Sequence, residues 1–188
     1  MTSRTRELAT SSSPLTVLDE ERGQFLFAAW KNVSIFFWLA QATGMAVLRL
    51  ARATDPLYAA HPEGVSNIHV VPGGTDLPTT EAQREMLALM KSRADRRACM
   101  AVVLGGTGFW ASALRSFITS VRFVSPRSHA LTIHGTLQQA AFWLPRPHFE
   151  RSGVWLERAE LLAALQSVEE QSLALRATVS AHKLVTRR

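Results

Sequence analysis

Cysteine is nearly absent: Cys99 stands alone among 188 residues. A single thiol excludes an internal disulfide and any cysteine-based metal cage, and when buried it packs as a small hydrophobe. Lysine is scarce too, present only at Lys31, Lys91 and Lys183, so the net charge of +6 and the isoelectric point near 10.6 come from arginine. Those arginines are scattered (Arg49, Arg84, Arg115, Arg127, Arg158) rather than gathered on one face with interleaved aromatics. That pattern reads as a solvated surface, and nucleic acid is not the expected partner. No uncharged run reaches the roughly 20 residues of a membrane-spanning helix. Val33 to Leu48 is interrupted by Gln41, Thr43 and Gly44, and its β-branched and aromatic half precedes an Ala/Met/Leu half. Such an order suits a buried strand turning into a helix. Met1 to Arg22 has no continuous apolar stretch and is not read as a secretory signal; with the lone cysteine, this places the expectation in the cytoplasm.

Motifs of catalysis are missing as well. Gly105-Gly106-Thr107-Gly108 lacks the Gly-Lys-Ser/Thr ending of a phosphate loop and does not fit Gly-x-Gly-x-x-Gly. No Gly-x-Ser-x-Gly elbow occurs. No two of the six histidines have the i, i+4 spacing of a helical metal site. The expectation is no enzyme, no metal and no cofactor.

What is present is apolar material: 47% hydrophobic against 19% charged, enough for one sizeable core. Residues 1–22, rich in Ser, Thr and Arg, read as a flexible arm. Gln24 to Trp30 and Val33 to Ala40 form a hairpin by spacing, joined by Lys31-Asn32. From Thr43 the period becomes helical through Val47, Leu50 and Ala51, ending before Pro62. Ile68 to Val71 is a short strand stopped by Pro72-Gly73-Gly74. Thr80 with Gln83 looks like a capping box opening a helix with Met86, Leu87, Met90 and Ala94 as its buried stripe. Ala98 to Leu104 is apolar throughout, as a central parallel strand covered on both faces should be. A helix with Trp110, Leu114, Phe117, Ile118 and Val121 on one face follows. Ala130 to Ile133 is the last strand, and Thr136 with Gln139 caps a short helix closed by Pro145. After Pro145-Arg146-Pro147, Gly153 to about Arg176 reads as a long helix with a stripe of Leu161, Leu162, Leu165, Val168 and Leu175. That stripe either packs on the domain or is exposed for a partner chain, as in a homodimer. Strands alternating with helices require right-handed crossovers and an α/β fold with a mixed, mostly parallel sheet.

That element order resembles the STAS domain, the SpoIIAA-like fold of anti-sigma-factor antagonists, and more closely its divergent STAS-like relatives in bacteria. The resemblance covers residues 23–145, with 146–188 left as a linker and a C-terminal helix with a basic tail. It rests on the opening hairpin, the strand-then-loop at Val71 to Thr80, and the terminal Thr136-Leu-Gln-Gln-Ala-Ala-Phe-Trp-Leu helix. The family's phosphorylation motif, an Asp-Ser-Ser-Gly-like stretch, is replaced here by Pro72-Gly-Gly-Thr-Asp-Leu-Pro-Thr-Thr80, where Thr79 or Thr80 matches by position alone. The resemblance implies a non-enzymatic regulatory module that binds another protein.

Three Gly-Thr pairs should emerge at the C-terminal ends of the parallel strands: Gly74-Thr75, Gly106-Thr107 and Gly135-Thr136. Each leads into a helix whose N–H groups and positive dipole end face that edge, where open α/β sheets bind ligands and anions. The expected partner-binding edge is therefore Gly74, Thr75, Asp76, Thr79, Thr80, Gly106, Thr107, Gly108, His134 and Thr136. Small-ligand, nucleotide or phosphate binding there is the alternative to a protein partner, with weak nucleic-acid binding a third reading. Asp76 and His134 are the sole titratable groups expected on the edge.

Overall fold

The computed structural model of the chain describes residues 6–8, 14–106, 112, 116 and 130–185. Seven strands form one sheet whose spatial order is the chain order: β1 (Arg6–Leu8), β2 (Leu15–Glu21), β3 (Phe25–Trp30), β4 (Val33–Trp38), β5 (Val65–Val71), β6 (Arg97–Leu104) and β7 (Leu131–His134). The first four make an antiparallel meander, and β4 to β7 run parallel. The sheet is thus mixed, with five of its seven strands pointing one way. The Lys31-Asn32 hairpin is present, with Lys31 at φ +50 so that two residues suffice to reverse the chain.

Helices α1 (Gly44–Ala60) and α2 (Thr80–Ser92) cover one face, the connections β4–α1–β5 and β5–α2–β6 supplying them. The other face is covered by α3 (Leu137–Trp143), α4 (Pro145–Ser152) and α5 (Arg158–Val185). Alternation along the strands feeds the two cores. Leu26, Ala28, Ile35, Phe37, Ile68, Val70, Cys99 and Ala101 pack beneath α3 and α5, while Phe25, Phe27, Phe36, Trp38, Met100 and Val102 face α1 and α2. Strand β6 is buried at every position, as a parallel strand with two covered faces requires.

Four local expectations change. Leu15–Glu21, read as part of the arm, is a strand: Leu15 and Val17 alternate into the core, and one apolar face of two residues is enough for a strand this near the edge. The N-cap of α2 is Thr79, whose Oγ accepts from Ala82 N at 3.1 Å, rather than Thr80. Pro145 and Pro147 do not open a linker. Pro145 occupies the first turn of α4, where a missing N–H costs nothing, and Gly153 at φ +71 ends that helix as its left-handed cap. The long helix therefore begins at Arg158, and Leu161, Ala164, Leu165 and Val168 are fully buried against the sheet. One core cluster contains both Leu15 and Val168, so the stripe is used within the chain. The helix expected through Trp110 to Val121, with Thr107 and Gly108, lies outside the described residues.

Candidate functional site

Strands β5 and β6 end in loops that meet backbone to backbone. A Cβ on Gly105 would stand 2.7 Å from Gly73 N, and one on Gly106 would stand 3.3 Å from Gly73 Cα. Gly74 and Gly106 both have positive φ, +81 and +86. Glycine is needed here for close approach and turning. The starts of α2 and α3 carry their own threonine caps. Thr79 Oγ caps α2, Thr136 Oγ accepts from Gln139 N at 3.2 Å, and Gly135 N donates to Gln139 Oε1 at 2.8 Å. Thr80 is simply the exposed first residue of its helix.

The loop from Pro72 to Thr79 folds back over the sheet and is pinned to the start of α1. Thr79 N donates to Ala42 O at 3.0 Å, and Gln41 Nε2 donates to Leu77 O at 2.8 Å. Under it, between the sheet and α2, is an open cavity of about 90 Å³. Its walls are almost wholly apolar: Ala42, Val47, Met86, Met90, Met100 and Val102. Three methionines make a wall that can adjust to an occupant, since thioether chains are unbranched and flexible. Asp76 and Gln83 stand among the lining residues, Asp76 exposed and so at the solvent side.

Two buried polar groups interrupt this apolar surface. Thr75, 4% exposed, has an Oγ with no hydrogen-bond partner among the described residues. His69 lies with its ring parallel to that of Trp38 and accepts from the indole Nε1–H through Nδ1 at 3.2 Å. An indole nitrogen only donates, so Nδ1 carries no proton and the neutral ring holds its proton on Nε2. Burial pushes the His69 pKa down to about 3, with the nearby Arg97 guanidinium adding to the effect, so the ring is neutral at physiological pH. Arg97 is itself 3% exposed; it donates to Met90 O at 3.1 Å and has no carboxylate within ion-pair distance among the described residues. It lines a smaller void of about 10 Å³ that shares His69, Met86, Met90 and Met100 with the main cavity.

The expected edge therefore divides. Thr75 and Asp76 reach the cavity; Gly74, Gly106, Thr79 and Thr136 serve turns and caps; Thr107 and Gly108 are outside the described residues. His134 lies on the opposite face of the sheet, packed 5.4 Å from the Trp143 ring, with its pKa lowered by burial. Asp76 and His134 cannot act together. His69, Trp38 and the methionines were not singled out as site residues. The available signal was a histidine inside an otherwise apolar strand, where a titratable ring needs a reason to be.

A second polar cluster looks more chemical than it is. Ser66 Oγ lies 2.7 Å from His148 Nδ1 and 3.0 Å from Cys99 Sγ, which joins a hydroxyl, an imidazole and a thiol. All three residues are at 0% exposure. Burial pushes the Cys99 thiol up to about 12 and His148 down to about 4, so the thiol stays protonated and the ring neutral. With no room for a substrate, the cluster fastens α4 to β5 and β6. No group of three metal-ligating side chains occurs among the described residues. Some of the described arginines pair with carboxylates of the chain: Arg49 with Asp19 and Glu21, Arg93 with Asp55, Arg146 with Glu150. None of the described helices is long and apolar enough to cross a membrane.

Fold and site together define a three-layer α/β protein with a mixed sheet and an apolar cavity beside the ends of its central parallel strands. No protein-family model, no curated protein and no solved structure matches the chain.

Proposed function

We propose that the protein is a non-catalytic binding module whose ligand is a small, mainly apolar molecule held in the cavity beneath the Pro72–Thr79 loop. The observation that carries this is the cavity itself: apolar walls interrupted by Thr75 Oγ and the His69 ring, the pattern of a small-molecule site. Among the described residues, Asp76 and His134 lie on different faces and the Ser66–His148 pair is sealed. Toluene tests the reading directly. It should bind the full chain and raise its melting temperature by mass action, and Met86→Trp, which fills the cavity from a half-buried position, should abolish the effect. Toluene binding unchanged by Met86→Trp would remove the proposal.

The regulatory role implied by the STAS resemblance can use the same loop. Leu77 at its crest is 39% exposed, an apolar side chain offered to solvent beside the cavity. In that reading a cytoplasmic regulator docks on the loop and senses whether the cavity is filled. Leu77→Asp should then leave toluene binding intact and release any regulator that co-purifies with the wild-type chain.

A further inference from the structure

The polar groups in the cavity point to the chemistry of the ligand, an inference that rests on the binding reading above. His69 is held as a donor: its Nδ1 accepts from Trp38, which leaves Nε2–H as the ring's other polar end, lining the cavity. Thr75 Oγ, more than nine-tenths buried and lining the same cavity, is a hydroxyl without a partner. A hydroxyl left unpaired in a buried site costs free energy that a bound acceptor would recover. Arg97 adds a positive field. It is almost wholly buried, lines the adjoining void and shares four lining residues with the cavity. A buried cation without a carboxylate nearby is costly, and an anion brought within its reach offsets that cost. Asp76 is the one acid along the lining, and its exposure to water screens it.

We propose that the cavity takes a small apolar carboxylate, with its hydrocarbon against Met86, Met90, Met100 and Val102 and its carboxylate received by His69 Nε2–H and the Thr75 hydroxyl. The cavity, about 90 Å³ and open to solvent, suits a single ring or a short branched chain. This sets the cavity apart from a general apolar hole, which would rank ligands by area alone.

Benzoate and toluene, matched in their ring, separate the two ideas. Each is titrated into the full wild-type chain, Thr75→Val and Thr75→Ser, with folding of each variant checked by its melting curve. Benzoate affinity should fall about tenfold in Thr75→Val and return to within about threefold of wild type in Thr75→Ser. Toluene affinity should stay within about twofold in all three, because it makes no hydrogen bond. The His69 Nε2–H proton resonance should move on adding benzoate and stay in place with toluene. Benzoate binding indifferent to Thr75→Val would overturn the carboxylate assignment while leaving the cavity a toluene site. So would binding of benzaldehyde and toluene without benzoate, which would make the ligand a neutral one. Failure of both toluene and benzoate would remove the binding reading itself.

Discussion

His69 and His148 are buried rings in surroundings that favour their neutral forms, His69 near pKa 3 and His148 near 4, against about 6.5 in an unfolded chain. Between those values the unfolded state binds protons that the folded state refuses. Their contribution to stability is therefore complete above about pH 6.5 and is lost as pH falls, at about 1.4 kcal/mol per pH unit for each ring. Denaturant melts should show the protein about 4 kcal/mol less stable at pH 5 than at pH 8. A flat profile over that range would mean the rings reach solvent. Neither ring's role could be read from its neighbours in sequence. His69 depends on Trp38, 31 residues away, and His148 on Ser66, 82 residues away. Thr75 and Asp76 were accessible because loop chemistry is local: a Pro-Gly-Gly turn before a capped helix announces a strand end. The opposite placement of His134 follows from side-chain parity along β7, which puts Leu131 and Ile133 toward the cavity face and His134 away from it.

Elements with a clear period are legible in sequence: the β3–β4 hairpin, α1 after Thr43, and β6 with its unbroken apolar run; of β5 only Ile68 to Val71 is, because polar Ser66 and Asn67 hide its start at Val65. Those that failed did so for definable reasons. Strand β2 carries its signal in two buried residues, Leu15 and Val17, beside a Ser-rich stretch that dominates the composition. Helix α4 starts at Pro145, and proline inside a charged segment is read as a break although the first helical turn tolerates it. The stripe of α5 was seen while its destination was open. Leu165 is now placed under the sheet at 0% exposure. Leu165→Ala should cost about 2–5 kcal/mol in chemical denaturation, the range for large-to-small changes in a core, with no change in gel-filtration volume. A shift in that volume at unchanged stability would mean that the helix joins two chains.

At the scale of the molecule, the two cores divide the work. The face under α3 and α5 is closely filled by aliphatic side chains and closed by the Ser66–His148–Cys99 cluster. The opposite face holds the aromatic ladder of Phe25, Phe27, Phe36 and Trp38, and beyond it the methionine-walled cavity. Rigid packing on one side of the sheet allows an adaptable wall on the other, because the strands bearing His69 and Met100 are fixed from behind by Ile68, Val70, Cys99 and Ala101.

Strand order in space equals strand order in the chain, and this bears on how the protein is made. During synthesis each new strand finds its neighbour already in place, so the sheet can zip from one edge to the other in the direction of translation. Helix α5 follows all seven strands in the chain. Until Arg158 and the residues after it leave the ribosome, the apolar surface of Ile35, Ile68 and Ala101 has no lid from α5. A chain stopped after residue 157 should collect in the insoluble fraction while the full chain stays in solution, as fractionation of the two products would show. Insolubility of that shorter chain would make the surface of Ile35, Ile68 and Ala101 what a chaperone has to hold during synthesis.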